Sequence, residues 1–346
     1  MVQKMISKEK ISDLIKELQK EFKVFGPVKE EGIVLFKEIT DAKKICLDYS
    51  NSKIPAKSVL FPMIDTLFSY KKEGKGVKII ENPPYEKTVI FGIRPCDSMG
   101  FSLFKNFFSF GKYKDPHVLN RLKNITIIGM GCLEPRTTCF CTSVNGGPFN
   151  KESVDVLITE FKDNYYLESS TDKGKALIKK IKSLTDADKG DLAKIEKLQK
   201  DIESAITVIE GLDSIYTKLD GLFDHPMWKM ESQGCIGCGS CTYLCPTCHC
   251  FDVIDENKQD GSGRRIRIWD TCQFPLFTLE TSGHNPRTTK LPRVRQRIFH
   301  KFNYYPKNYN IIGCVGCGRC IINCPVSSDI RNIFISIENI SSKTEG

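Results

Sequence analysis

The chain has 346 residues, of which 40% are hydrophobic, enough for a sizeable core and for two or three domains of about 150 residues. Its formal charge of +9 comes without a basic stretch interleaved with aromatics, so we expect a solvated surface or an acidic protein partner, and no nucleic-acid binding. Residues 1–8 lack the apolar segment of a signal peptide, and no apolar run approaches the roughly 20 residues that cross a bilayer. The 16 cysteines are therefore expected to be cytoplasmic thiols, without direct membrane insertion.

Helix and strand patterns alternate over the first 225 residues. Ser7 can cap a helix with an apolar face from Ile11 to Phe22, which should end near Gly26-Pro27. Further helices are expected at 57–70, 98–108, 173–183 and 191–210, the last with an apolar stripe that covers a sheet or docks a partner. Runs of β-branched or aromatic residues predict strands at 32–36, 77–81, 87–93, 125–130, 154–159 and 165–168. The pattern predicts an α+β protein whose N-terminal α/β domain, residues 1–225, has a mixed sheet.

Four cysteines in this domain lie in unusual places for packing residues. Cys96 and Cys132 each follow a predicted strand, and Cys139 and Cys141 lie on a segment rich in Thr, Asn, Gly and Pro. Because α/β sheets build their sites at strand ends, we expect the four thiols to converge and to bind a [4Fe-4S] cluster. The alternative is that they are buried free cysteines, which behave as small hydrophobes.

The strongest motif is the spacing C-x2-C-x2-C-x3-C-P, which occurs at residues 235–246 and again at 314–325. This spacing is typical of bacterial ferredoxins with two [4Fe-4S] clusters, in which the fourth cysteine of each run ligates the other cluster. Zinc sites are the alternative, but zinc needs pairs of cysteines rather than runs of four that end in proline. The two predicted ligand sets are Cys235, Cys238, Cys241 and Cys324, and Cys314, Cys317, Cys320 and Cys245.

The segment 246–313 between the two runs is far longer than a compact ferredoxin requires, and it predicts a helical module rather than a small β-hairpin ferredoxin. We expect residues 226–346 to form an α-helical domain with two clusters. The segment contains three further cysteines, Cys248, Cys250 and Cys272, too few for another cluster, so these and the histidines His249 and His284 are expected to be structural or to surround the clusters. Its arginines could hold cluster charge or a partner's carboxylates, or form ordinary salt bridges.

Several short motifs together resemble a known family. They are Gly92–Asp97, Glu134-Pro135 with Cys139–Ser143, Cys241–Asp252, Trp269–Cys272, Gly283–Arg287 and His300–Phe302. Over nearly all of its length the chain resembles the two-cluster iron-sulfur subunits represented by the β subunit of cytoplasmic sulfhydrogenases and by the corresponding iron-sulfur subunit of anaerobic sulfite reductase. The resemblance implies an α-helical ferredoxin domain after an α/β domain, beside a flavin subunit that takes electrons from NAD(P)H. It does not distinguish hydrogenase from sulfite reductase or other anaerobic reductases.

The sequence predicts an electron-transfer subunit of an anaerobic cytoplasmic oxidoreductase, between a partner subunit that carries FAD and a catalytic subunit. The chain has no G-x-G-x-x-G after a strand and no P-loop, and we identify no catalytic residue. One alternative is that the α/β domain itself binds flavin or substrate and the chain is a reductase. A zinc-dependent nucleic-acid binder is the third class.

Overall fold

The structure is a computed structural model that describes residues 2–344. Its strands are β1 (Gln3–Ser7), β2 (Lys23–Glu30), β3 (Ile33–Glu38), β4 (Ile64–Glu73), β5 (Gly76–Ile80), β6 (Thr88–Ile93), β7 (Ile125–Met130), β8 (Val156–Phe161), β9 (Asn164–Ser169), β10 (Thr185–Asp186), β11 (Phe251–Asn257) and β12 (Gly263–Trp269).

The helices are spread over the whole chain, and a π-helical turn at His300–Tyr304 joins two of them. They are α1 (Ile11–Gln19), α2 (Lys57–Leu60), α3 (Pro95–Ser109), α4 (Pro116–Asn124), α5 (Asp172–Lys180), α6 (Lys189–Ser204), α7 (Ile215–Asp220), α8 (Met227–Glu231), α9 (Ser240–Tyr243), α10 (Lys290–Phe299), α11 (Tyr305–Tyr309), α12 (Arg319–Ile322) and α13 (Ile330–Thr344). Within residues 2–344, none of these helices is long and apolar enough to cross a membrane.

The first sheet has eight strands in the order β10-β1-β9-β8-β7-β6-β2-β3. The central strands β2, β6, β7 and β8 are parallel, and the outer pairs are antiparallel. This confirms the predicted mixed sheet. Because the parallel strands β6 and β7 end at the same edge, the residues that follow them, including Cys96 and Cys132, lie close together there.

Both faces of this sheet are covered. On β6, Val89 and Phe91 face a core that includes the buried face of α1 and α5, whereas Ile90 and Ile93 face the core of α3 and α4. The alternation follows from the two-residue period of a strand. The apolar stripe of α6 packs against the same sheet through Ile202, as expected for a stripe that covers a sheet.

The second sheet, β11-β12-β4-β5, takes two strands from each side of residue 225. Its β4 and β12 are antiparallel, with Tyr70 opposite Gly263. A buried ion pair supports the junction, since Arg267 Nη2 lies 2.7 Å from Asp65 Oδ2 and both side chains are almost fully buried. The division at 225/226 into folding units stays a prediction, and this sheet lies across it.

The structure corrects the first predicted helix. It ends at Gln19, and Gly26 and Pro27 lie inside β2. Proline is tolerated there because the pairing of β2 with β6 ends at Phe25, so that neighbour needs no N–H from Pro27. Ser7 belongs to β1 and its side chain makes no capping bond.

Two other expectations about secondary structure were wrong in part. In the predicted helix 57–70 only α2 is helical, because the rest belongs to β4, whose partner β12 comes much later in the chain. The segment 246–313 contains α10 and α11, but also the hairpin β11–β12. On this hairpin Arg265 and Asp255 form a cross-strand ion pair, which favours the extended pairing.

Candidate iron-sulfur sites

The two cysteine runs fold into similar loops. Each loop leads into a one-turn helix, α9 or α12, through a glycine with positive φ, Gly239 at 76° and Gly318 at 70°. Backbone N–H groups point at thiols in both loops, with Gly237 N 3.4 Å from Cys235 Sγ and Gly316 N 3.5 Å from its own loop's first thiol. Such N–H donors stabilise thiolates, which is the form that ligates iron.

The first predicted ligand set surrounds one cavity. Cys235, Cys238 and Cys241 line it together with Cys324, which comes from the end of the second run. The backbone N–H of Ser328 donates to Cys324 Sγ at 3.3 Å. The structure therefore brings the fourth cysteine of one run to the loop of the other, as crossed ligation requires. Ligation itself stays a prediction.

The second predicted set lies deeper. Cys245 is 9% exposed and its charge acts on both Cys314 and Cys317, so it lies beside the second loop rather than its own. Burial raises the pKa of Cys314 to about 11, with the Lys301 ammonium opposing this and the Cys245 thiolate adding to it. Cys320 of this set also lines the cavity of the first set, so the two sets adjoin.

A second thiol lies next to Cys245. The hydrogen bond from Cys248, together with the charge of Lys301, holds the pKa of Cys245 well below its usual range despite burial. The pKa of Cys248 is raised by the same contact. Cys245 is thus the thiolate of the pair and Cys248 its donor, which favours Cys245 as the ligand.

The four cysteines of the N-terminal region line one cavity together with Cys317. This cavity is formed where residues 138–141 pack on the second loop. Phe140 N donates to Gly316 O at 2.9 Å, and a Cβ on Gly316 would lie 2.5 Å from the Phe140 carbonyl, so only glycine allows this approach. The loop is therefore built to fit this segment.

Burial makes these four thiols costly to ionise. It raises the pKa of Cys96, Cys132, Cys139 and Cys141, the last to about 12. Four convergent thiols that stay protonated without a cation fit a site whose metal displaces the protons. The donor set and its convergence thus suit a [4Fe-4S] cluster, and the assignment remains a prediction.

A buried ion pair ties the second loop to the N-terminal region. Arg319 Nη2 lies 2.8 Å from Asp97 Oδ2, and the two side chains are 2% and 0% exposed. Arg319 also donates to the carbonyl of Ser52, and Asn51 Nδ2 donates to the carbonyl of Cys317 at 3.1 Å. Sequence reasoning assigned no role to Asp97 or Arg319, although both lie in the motifs that contain cysteines.

The remaining cysteines of the central segment share one more cavity, lined by Cys248, Cys250, Cys272 and His300. The thiol of Cys250 donates to Cys272 and lowers the pKa of Cys272 to about 6. His249 is buried, with its ring 3.7 Å from that of Phe107, as expected for a core residue, whereas His284 is exposed.

The arginines divide between the two predicted roles. Arg264 and Arg265 form ordinary ion pairs with Glu256 and Asp255 on the hairpin. Arg297 instead lies among the thiols, where it lines the cavity of the first set.

Comparison with known proteins identifies the C-terminal part. Residues 234–328, which contain both cysteine runs, match the family described as the 4Fe-4S dicluster domain. The chain is also 29% identical over 318 residues, 92% of both chains, to sulfhydrogenase 2 subunit beta of Pyrococcus furiosus. The predicted iron-sulfur subunit family is confirmed. No solved structure matches the chain.

The dicluster domain favours iron-sulfur clusters over zinc at the two runs. Together with the sulfhydrogenase relative it supports an iron-sulfur electron-transfer subunit of an oxidoreductase. The cavity of the four N-terminal cysteines lies outside the matched residues, so its contents are not decided by the dicluster match.

The contact between Cys245 and Cys248 gives a test of crossed ligation. Cys245→Ser should perturb the cluster held mainly by Cys314, Cys317 and Cys320, because Cys245 lies beside that loop. Cys248→Ser is the matched control, and it should keep both dicluster signals. Electron paramagnetic resonance of the reduced proteins distinguishes the outcomes. Loss of only the cluster held by the first loop in Cys245→Ser would show that ligation is not crossed.

Proposed function

We propose that this chain relays single electrons in an anaerobic cytoplasmic complex, between an FAD subunit that oxidises NAD(P)H and a catalytic subunit of hydrogenase or sulfite reductase type. The observation that carries the proposal is that three sets of four thiols adjoin one another through the chain. [4Fe-4S] clusters, when bound to such sets, accept and donate one electron each.

The residues between the sets make the path continuous. Cys320 belongs to the second set and lines the cavity of the first, and Cys317 belongs to the second set and lines the cavity of the N-terminal cysteines. Cys139 Sγ lies 3.8 Å from the carbonyl oxygen of Cys317. The second set is therefore the middle of the proposed relay, and the ion pair of Asp97 and Arg319 holds it against the N-terminal region.

The first set supplies an entry or exit for electrons. Cys238 is exposed at the rim of its cavity, and apolar side chains beside it are exposed too, with Ile236 at 65% and Val326 at 38%. An apolar rim around a cofactor site suits docking of a partner subunit. The name of the relative, a subunit beta, supports a complex of several subunits, and we assign the substrate chemistry to the partners.

The cofactor can be tested on the chain alone. Anaerobically purified protein should be brown and should contain iron and acid-labile sulfide in equal amounts, because each [4Fe-4S] cluster carries as much sulfide as iron. Metal and sulfide analysis measures both. Zinc without sulfide would contradict the iron-sulfur assignment and favour a zinc protein.

The relay can be tested on the native complex. A tag on this chain should co-purify an FAD subunit from the native host, and NAD(P)H should bleach the iron-sulfur absorbance of that complex. The same nucleotide should leave the isolated chain unchanged, since its flavin partner is then missing. If the isolated chain contained flavin and were bleached directly, the chain itself would be the reductase.

A further inference from the structure

Lys301 lies where the two cysteine runs cross. It is part of the π-helical turn His300–Tyr304, and its side chain is 5% exposed. Turns of this kind are rare in helices and occur frequently at functional sites. A buried lysine is equally uncommon unless its charge is compensated, so its neighbours show what it does.

The ammonium group of Lys301 has three acceptors. Its Nζ donates to Cys245 Sγ at 3.4 Å, to Thr247 Oγ1 at 2.5 Å and to the carbonyl of Gly313 at 2.9 Å. An ammonium has three N–H donors, so each can be used. Two acceptors follow the first cysteine run or end it, and the third directly precedes Cys314 of the second run.

The backbone holds the same junction together. Gly313 N donates to the carbonyl of Lys301 at 2.8 Å, and a Cβ on Gly313 would lie 3.2 Å from Lys301 Cα. Thr247 Oγ1 also donates to the Gly313 carbonyl at 2.9 Å. Lys301 is therefore fixed between the crossing thiol Cys245 and the start of the second loop.

The charge of Lys301 faces thiols rather than carboxylates. Among the described residues, no carboxylate forms an ion pair with it. Burial opposes its charge, but the thiolates of Cys245, Cys248 and Cys314 outweigh burial and raise the pKa of Lys301. A positive charge fixed beside a ligand sulfur stabilises the reduced, more negative state of a cluster relative to the oxidised state.

We propose that Lys301 is a positioning residue that raises the reduction potential of the cluster held by Cys245, Cys314, Cys317 and Cys320. This role rests on the proposed electron relay, and it makes the middle set the one at which an electron is most stabilised by a buried cation. Lys301 acts through the Cys245 sulfur and through the junction at Gly313.

The test is a redox titration of the full chain, followed by electron paramagnetic resonance. The relevant signal is the one that Cys245→Ser perturbs. In Lys301→Met the midpoint of this signal should shift to lower potential, while the other signals and the iron content stay unchanged. The control is Lys307→Met, which removes a half-exposed lysine paired with Asp220 on the adjoining helix and should shift nothing.

Lys301→Gln provides a second variant, because its amide can still donate to Thr247 or Gly313 without the charge. An unchanged midpoint in an iron-complete variant would overturn the proposal. Loss of the cluster from both variants would also overturn it and assign Lys301 a purely structural role. A wild-type chain without any [4Fe-4S] signal would refute the relay itself, an outcome distinct from an unmoved midpoint.

Discussion

Replacing Cys139 and Cys141 together by serine should lower the iron content from about 12 to about 8 atoms per chain. The two thiols share a cavity with Cys96 and Cys132, so the double variant would remove half of the thiols available to a third cluster. The dicluster signals should persist because both cysteine runs remain intact. Electron transfer through the assembled complex should slow, since the relay would lose one end.

The matched control replaces another pair of largely buried thiols, Cys250 and Cys272, by serine. This pair lies in a separate cavity and belongs to none of the three sets, so the control should keep its full iron content. Iron analysis of both double variants, with the wild type, decides the matter. A Cys139/Cys141 variant with unchanged iron would show that these cysteines pack the interior and hold no cluster.

Asp97→Ala should destabilise the protein by about 3–5 kcal/mol, because it leaves the Arg319 guanidinium buried without its partner. The loss should appear as a lower free energy of unfolding in anaerobic urea titrations. Since Arg319 lies between Cys317 and Cys320, the variant should also release iron at lower urea concentration than the wild type. Asp255→Ala, which breaks an exposed ion pair on the hairpin, should cost at most about 1 kcal/mol.

A paired substitution separates the charge from the packing. Asp97→Leu with Arg319→Met removes both charges and should be closer to the wild type than Asp97→Ala, because no unpaired charge stays buried. Equal destabilisation by Asp97→Ala and Asp255→Ala would contradict the importance of this buried pair.

Features with a local signal could be predicted from the sequence. The spacing of residues 235–246 and 314–325 indicates ligand sets without knowledge of the fold, and the matched dicluster family agrees with that reading. The central strands were also predictable, since β7 is a continuous apolar run between turn residues. That Cys96 and Cys132 follow neighbouring parallel strands explains why the thiols of the N-terminal region meet.

Features that depend on distant partners could not be predicted. The extended conformation of β4 requires β12, and the role of Asp97 requires Arg319, which lies 222 residues further along the chain. The lysine in His300–Phe302 belonged to a recognised motif, but the motif did not show that its side chain reaches Cys245. Burial and charge compensation appear only once the tertiary contacts exist.

The second sheet also constrains how the protein is made. Asp65 of β4 and its partner Arg267 of β12 are 202 residues apart, which corresponds to about 10–40 s of synthesis on the ribosome. During this interval β4 and β5 have no neighbour on the β12 side, and Cys317 has not yet closed the cavity of the N-terminal cysteines. Assembly of the metal centres is therefore expected after release of the finished chain, when scaffold proteins that deliver iron and sulfide meet both halves together.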